Sequence, residues 1–205
     1  MEINEDNVQT IIDKAWGACR ERVEDKDYPL SSEKSLVFLF AMEILKIVGN
    51  KLVVDFEQQC YEELSGKSKY LDLLFYTSTN YKVAVELKLP QGTPDRKETR
   101  KSIYRDLARL RYLHDQKSHN YCVFLMASNI ESFLNPGNYT NYINYITAHN
   151  HVIEPENDLL VENLPLQGVS AKFEWRNIEF RENKTNNNGK FVVSGSYAWI
   201  KPIVV

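Results

Sequence analysis

Residues 83–89 alternate strictly along the chain, which is the pattern of a β-strand, because successive strand side chains point to opposite faces of a sheet. The apolar face of this strand consists of Val83, Val85, Leu87 and Leu89. Residues 71–76 form a second apolar run of strand length. Residues 77–80, Thr-Ser-Thr-Asn, are a polar break between the two runs, so the pattern predicts an antiparallel hairpin.

Pairing the two strands brings three charged side chains together. With Thr77 opposite Tyr81, Asp72 lies opposite Glu86 on one face, and Lys88 follows two residues along. Directly opposite residues have Cβ atoms about 4.5–5.5 Å apart. Carboxylates that close repel unless a proton or a cation lies between them, and Mg²⁺ is often held by one or two carboxylates with water and phosphate. The pairing therefore predicts a site for Mg²⁺ or Mn²⁺ beside a lysine that orients or deprotonates water, or balances phosphate charge.

The arrangement resembles the signature of the PD-(D/E)XK nuclease superfamily: Asp72, a turn, then Glu86, Leu87 and Lys88 on the next strand. The resemblance implies a metal-dependent phosphodiesterase. In such an enzyme Asp72 and Glu86 would hold the metal, the Leu87 carbonyl would complete the site, and Lys88 would serve the attacking water. Leu71 stands where the signature has proline, which is a departure from the pattern.

The same residues also have a purely structural interpretation. Charged residues make up about a quarter of an average sequence, so Glu-x-Lys arises by chance, and a solvated surface strand would carry Glu86 and Lys88 equally well. The apolar residues Leu74 and Tyr76 flank Asp72 on its own face. They favour a partly covered site, where a charge needs a partner or a metal.

Two helices are predicted ahead of the hairpin. Residues 7–24 carry apolar side chains at helical spacing, and a helix that begins near Ser31-Ser32 and ends before Gly49 is apolar almost all round and therefore buried. Glu33, in its first turn, suits the helix dipole, worth about 0.3–1 kcal/mol. The superfamily resemblance implies a catalytic alternative, since residues 33–36 (Glu-Lys-Ser-Leu) are similar to a setting in which the glutamate helps to hold metal-bound water.

A third helix, predicted from about residue 96 to 114, carries a basic stripe. The nucleic-acid contacts predicted on it are Lys97, Arg100, Lys101, Arg105 and Arg109. Lys and Arg contacts to phosphates are the main source of nucleic-acid affinity. A solvated face of an ordinary amphipathic helix would look the same, and Asp106 interrupts the stripe.

The order of elements predicts an α/β fold. Residues 121–127 are an unbroken apolar run, typical of a central strand that follows a helical crossover. The resemblance implies a restriction-endonuclease-like three-layer core, in which helices flank a central mixed β-sheet, over residues 1–170. Residues 171–205 are predicted as a C-terminal β-hairpin appendage packed on the same domain, with its turn at residues 186–189.

Composition narrows the functional classes only slightly. The 205 residues carry a net charge of −3 and a sequence pI near 5.9, so nucleic-acid binding requires a local basic patch. Three widely spaced cysteines suit neither a disulfide framework nor a thiolate metal site, which predicts a reducing compartment and a cytoplasmic protein. The longest apolar run, residues 36–48, is interrupted by Glu43 and Lys46, so no membrane span is expected.

The resemblance thus implies a metal-dependent endonuclease, with DNA as the commonest substrate in the superfamily and restriction, defence or repair as its setting. The alternative is a catalytically silent nucleic-acid-binding or regulatory protein on the same fold. A third interpretation is an interaction domain whose carboxylates are structural. RNA as substrate, and assembly as a homodimer, are left open.

Overall fold

A mixed β-sheet runs through the centre of the protein in the computed structural model, which describes residues 2–49, 51–61, 69–92, 96–136, 145–182 and 189–205. The helices in these ranges are α1 (Val8–Glu24), α2 (Glu33–Val48) and α3 (Arg96–Lys117), with a 3-10 turn at Glu131–Phe133. The strands are β1 (Val53–Gln59), β2 (Tyr70–Tyr76), β3 (Lys82–Lys88), β4 (Tyr121–Ser128), β5 (Val152–Ile153), β6 (Leu160–Val161), β7 (Leu164–Pro165), β8 (Ala171–Lys172), β9 (Trp175–Arg176), β10 (Ile178–Arg181), β11 (Lys190–Val193), β12 (Ala198–Ile200) and β13 (Ile203–Val204).

The central sheet has the strand order β1-β2-β3-β4-β12-β9, and β13 also pairs with β4. Strands β1, β2 and β3 form an antiparallel meander, whereas β3 and β4 are parallel and are connected through α3. A parallel pair needs such a crossover, since a tight turn cannot connect strands that run in the same direction. The predicted α/β class with a mixed central sheet is confirmed.

Helices cover both faces of the sheet. Helices α1 and α2 pack on one face, where Trp16 contacts Phe40 and Trp199 with ring centroids 6.0 and 4.9 Å apart. The opposite face packs against α3 and the C-terminal strands around Tyr104 and Phe124. None of the helices in the described ranges is long and apolar enough to cross a membrane.

The predicted hairpin register is confirmed. Strands β2 and β3 pair from Tyr76 opposite Lys82 to Leu73 opposite Val85, and the Thr77 N–H donates to the Tyr81 carbonyl at 3.3 Å. The paired residues end at Leu73 and Val85, one position before Asp72 and Glu86, so the predicted pairing of those two acids stays a prediction. Turn length and the apolar alternation specify the same pairing, because a slip of one residue would move every apolar side chain to the other face.

Helix α2 begins and ends where its sequence signals predict. The Ser32 hydroxyl accepts the Ser35 N–H at 3.2 Å, and the Ser35 hydroxyl accepts the Ser32 N–H at 3.1 Å, which completes a capping box. Gly49 follows the last turn with φ 92°, a conformation that favours glycine. The cap holds Glu33 in the first turn of α2, at the end of the sheet where the candidate site lies.

The C-terminal segment is divided between two sheets. Strands β10 and β11 pair antiparallel from Ile178 opposite Val193 to Arg181 opposite Lys190. Strands β9, β12 and β13 instead join the central sheet beside β4. Most of the predicted turn at residues 186–189 lies outside the described residues. Since β12 and β13 complete the core sheet, this segment contributes to the core as well as to a peripheral pair of strands.

Candidate active site

Two acidic side chains and a lysine gather around the backbone that follows Glu86 at the carboxyl end of β3. Asp72 Oδ2 accepts the Leu87 N–H at 2.8 Å. Glu33 Oε2 accepts the Leu89 N–H at 3.1 Å, and Glu33 Oε1 lies 3.5 Å from Lys88 Nζ. Lys88 Nζ also donates to the Leu87 carbonyl at 3.3 Å. The end of β3 therefore holds groups from α2 and β2 in a single cluster.

The backbone across from Asp72 is distorted. Glu57, which faces Asp72 in the β1–β2 ladder, has φ 52°, and the pair is skipped although the register is the same on either side. Leu71 and Leu73 pack into the hydrophobic clusters of opposite layers, so the regular alternation of β2 is broken at Asp72. Unusual backbone conformations cluster at functional sites. The distortion leaves the half-buried Asp72 carboxylate beside the Leu87 N–H.

Glu86 lies deeper than the rest of the cluster. Its side chain is 2% exposed, and Oε1 accepts the Tyr61 hydroxyl at 2.9 Å. Burial raises the pKa of Glu86 well above its usual range, and the nearby carboxylates of Asp106 and Asp72 raise it further, against the opposing charge of Arg109. Burial and the neighbouring acids thus work against the charged form of Glu86.

Lys88 is held by a carboxylate that was not predicted from the sequence. Asp106 on α3 is 1% exposed, and its Oδ2 lies 2.9 Å from Lys88 Nζ. Burial alone lowers the pKa of Lys88, but the charges of Asp106 and Glu33 outweigh it, and the net shift is upward. Lys88 is thus an ammonium ion, which can orient water or balance phosphate charge but does not take a proton. The only signal of Asp106 in the sequence is a lone acid within the basic stripe.

Arg109 supports the site from inside. Its guanidinium lies 3.8 Å from the centroid of the Tyr61 ring and donates to the Tyr70 carbonyl at 3.1 Å. It also lies 3.4 Å from Asp106 Oδ1. Arg109 therefore contacts both Tyr61, which binds Glu86, and Asp106, which binds Lys88.

The predicted basic stripe is only partly exposed. Arg100 is buried like Arg109, where it donates to the Ser132 carbonyl and lies over the Phe133 ring. Two further members of the stripe, Lys101 and Arg105, reach Glu162 at 3.5 and 3.6 Å. Helical spacing placed these cations on one side of α3 but could not show that part of this side is covered. Contact with nucleic acid stays a prediction for the exposed Lys97 and the partly exposed Lys101 and Arg105.

A cavity of about 390 Å³ opens beside the cluster, between α2 and the strands β1 and β2. Its walls consist of Glu33, Lys34, Val37, Phe38, Phe56, Glu57 and Asp72. Glu33 and Asp72 belong both to the cavity and to the candidate site. Phe38 and Phe56 are each about half exposed. The cavity was not predicted from the sequence, because its walls come from three elements.

The donor groups suit a hard divalent cation in kind. Asp72, Glu86 and the Leu87 carbonyl are oxygen donors, and Mg²⁺ is often held by only one or two carboxylates with water and phosphate. Over the described ranges, no group of three or more His, Cys, Asp or Glu side chains is arranged to hold a metal. The proposed site has only two such side chains, Asp72 and Glu86, because its third ligand is the Leu87 backbone carbonyl. Burial raises the pKa of Glu33, and the charge of Asp72 adds to this against the opposing charge of Lys88.

Comparison with known proteins finds no matching family model, no similar curated protein and no similar solved structure at a significant level. The class of protein that the fold defines is a mixed α/β domain with a charged cluster at one end of its sheet. The functional argument depends on the residues and geometry of this chain.

Replacing Tyr61 by phenylalanine tests the support of Glu86. The variant removes the hydroxyl that donates to a buried carboxyl, so we expect the free energy of unfolding to fall by about 1–3 kcal/mol. Urea denaturation measures the change. Tyr70→Phe is the matched control. Tyr70 is 52% exposed, so removing its hydroxyl leaves no buried group without a hydrogen-bond partner. Equal effects of the two substitutions would contradict the Tyr61–Glu86 hydrogen bond.

Proposed function

We propose that this protein is a metal-dependent nuclease that hydrolyses phosphodiester bonds, on a restriction-endonuclease-like core of the PD-(D/E)XK kind with a C-terminal β-hairpin. The observation that carries the proposal is the Leu87 N–H donated to Asp72 Oδ2, which brings the Asp72 carboxylate to the backbone that follows Glu86. Lys88 and Glu33 lie against the same backbone. These are the residues in which the sequence resembles the superfamily.

Asp72, Glu86 and the Leu87 carbonyl would hold Mg²⁺ or Mn²⁺. The metal would polarise the scissile phosphate and lower the pKa of a bound water. Tyr61 keeps the Glu86 carboxyl oriented by its hydrogen bond, and the Leu87 N–H does the same for Asp72. Carboxylates fixed in this way need no reorganisation when charge develops in the reaction.

Lys88 contributes as a positive charge. Its ammonium is held between Asp106 and Glu33, and those charges keep it protonated, so it would stabilise charge on the phosphate or orient the attacking water. Glu33 would help to hold that water from the other side. Because Lys88 stays protonated, the proton of the attacking water must pass to another group. Solvent and the partly exposed Glu33 carboxylate are available to accept it.

DNA is the proposed substrate, and the proposed contacts to its phosphates are Lys97, Lys101 and Arg105 on the exposed part of α3. Arg100 and Arg109 act in this proposal from inside, where they tie α3 to the 3-10 turn and to β2. The overall charge of −3 limits non-specific binding. A cytoplasmic location agrees with three cysteines that are all free thiols.

The ion pair between Lys88 and Asp106 favours a second candidate function. An ammonium so firmly held by a buried carboxylate also suits a structural role, as expected in a catalytically silent nucleic-acid-binding or regulatory protein. Such a protein would bind nucleic acid without a metal and would not cleave it.

A cleavage assay on the full chain separates the two candidates. We expect cleavage of plasmid, single-stranded DNA, RNA or their duplexes in Mg²⁺ or Mn²⁺, and none after EDTA is added. The chelator removes the group that activates water, so its effect should be reversed by excess Mg²⁺. If the protein binds nucleic acid but cleaves no substrate with either metal, the nuclease proposal is wrong and the catalytically silent binding protein is supported.

A further inference from the structure

We propose that the cavity between α2 and β1 binds an unpaired nucleobase, and that the substrate class of this site is therefore single-stranded nucleic acid. The inference rests on the proposed nuclease function, which it deepens. Its observation is a pair of half-exposed phenyl rings, Phe38 and Phe56, in the walls of a cavity that shares Glu33 and Asp72 with the candidate site.

Both phenyl rings expose about half of their surface to solvent. Phe38 is 51% and Phe56 is 49% exposed, although they belong to different elements, α2 and β1. The cavity of about 390 Å³ falls in the range of about 300–1,000 Å³ that small-molecule sites occupy. Apolar surface left in water and rimmed by polar groups commonly marks a binding site. Aromatic rings in such a place favour a flat, apolar-faced ligand.

The charges around the rings exclude an anion from the cavity itself. Glu33, Glu57 and Asp72 line it. Lys34 is the one basic side chain among the described residues of its walls, and it is paired with Glu57 at 2.7 Å. A nucleobase is neutral, stacks on aromatic rings, and carries N–H groups that can donate to carboxylates. A base therefore fits these walls, whereas its phosphate does not.

The phosphate has its place next to the cavity. Glu33 is shared, and its Oε1 lies 3.5 Å from Lys88 Nζ, the ammonium proposed to meet the scissile phosphate. A nucleic-acid strand that enters the site can thus place a phosphate at Lys88 and an adjoining base in the cavity lined by Phe38 and Phe56. A base inside a duplex is stacked and paired, and it reaches such a pocket only after leaving the stack. Single strands meet this condition without that penalty.

The backbone of the cavity wall gives a second, independent observation. Glu57 adopts φ 52° within β1, directly after Phe56. A left-handed conformation of a residue other than glycine inside a strand is a local strain that persists where surrounding structure demands it, often at functional sites. Here it interrupts the ladder at the cavity and beside Asp72.

Binding measurements test the proposal without relying on cleavage. The probe is a fluorescein-labelled oligothymidylate of about 12 nucleotides, within the site sizes of single-strand-binding proteins, and a blunt duplex of the same length is compared. Measurements are made in EDTA and in Ca²⁺. We expect Phe38→Ala and Phe56→Ala each to weaken single-strand binding about 5- to 150-fold, the effect of losing one base–aromatic stack, with little change for the duplex. Phe180→Ala, which changes an equally exposed ring on β10, is the matched control.

A spectroscopic variant gives a direct readout. The native tryptophans Trp16, Trp175 and Trp199 are all buried and supply a constant background. We expect the added indole of Phe38→Trp to be quenched when oligothymidylate binds, since a base would stack on it. Retained binding by Phe38→Trp, beside weakened binding by Phe38→Ala, would separate stacking from a general loss of structure.

Each outcome decides between the two proposals. Suppose that Phe38→Ala and Phe56→Ala weaken single-strand binding and that the indole of Phe38→Trp is quenched, but that the parent chain never cleaves. This result would support the base-binding site and contradict the nuclease function. Metal-dependent cleavage with unchanged single-strand binding in Phe38→Ala and Phe56→Ala would keep the nuclease and overturn the base site. Among the described residues β1 lies at the edge of the central sheet, where a second copy of the chain could pair with it, so sedimentation velocity is run in parallel. A dimer that dissociates in Phe56→Ala, with oligonucleotide binding unchanged, would also overturn it.

Discussion

Asp72→Asn and Glu86→Gln are each expected to reduce metal-dependent cleavage at least about 100-fold, because a metal acting as Lewis acid supplies several kcal/mol to such a reaction. Both substitutions preserve shape and can preserve a hydrogen bond. Asparagine retains an oxygen for the Leu87 N–H, and glutamine retains one for the Tyr61 hydroxyl. Both variants should therefore fold, and rates on the best substrate are compared with those of the parent chain.

Metal binding is measured separately from activity. Mg²⁺ should raise the melting temperature of the parent chain, by mass action on the folded state, and should do so less in Asp72→Asn and Glu86→Gln. Glu43→Gln is the control. Glu43 is a buried glutamate that pairs with Arg22 and Lys46. It lies ten residues after Glu33 on α2, about 15 Å along the helix. It should leave cleavage unchanged. Normal cleavage by either site variant would mean that the metal ligands are assigned wrongly.

Asp106→Ala is expected to lower the free energy of unfolding by about 3–5 kcal/mol, because it leaves the Lys88 ammonium without its nearest carboxylate in a largely buried position. Glu33, 3.5 Å from Lys88 Nζ, compensates only in part. Such a loss is a large fraction of the stability of an ordinary domain, about 5–15 kcal/mol. Urea denaturation followed by circular dichroism measures it.

Two comparisons show whether the effect comes from the buried ion pair. Asp115→Ala removes a carboxylate from the same helix, but its partner Arg111 lies on the surface, so we expect a loss of only about 0.3–0.5 kcal/mol. The double variant Lys88→Met with Asp106→Leu removes both charges and should recover much of the lost stability. If Asp106→Ala costs no more than Asp115→Ala, Asp106 does not hold Lys88 in solution.

Local patterns were sufficient for the hairpin and for the start of α2. Alternation in β3 and a polar break of hairpin length led to the pairing of Tyr76 with Lys82. The same register led to the prediction that Asp72 lies opposite Glu86. Such signals are short in range, because a turn and a period of two already determine which side chains meet. The Ser32 cap is equally local, since its partners lie within one turn.

Helix α3 shows where local patterns are insufficient. A spacing of four residues groups Lys97, Lys101, Arg105 and Arg109 on one side of the helix, but it carries no information on what covers that side. Packing against Tyr61 and β2 buries Arg109. The expected row of phosphate-binding cations is thereby reduced to its exposed part.

The strand pairing and the capped helix were thus determined by the sequence alone, because each follows from residues near in number or from a fixed side-chain period. The same period made Asp72 and Glu86 candidates, whereas Glu33 became one through the resemblance to the nuclease superfamily. Only the tertiary structure decided that Asp106 holds Lys88, that Tyr61 binds Glu86, and that two phenyl rings border the site. These contacts join residues from different elements, and no period in the sequence records the distance between elements that pack from opposite faces of a sheet.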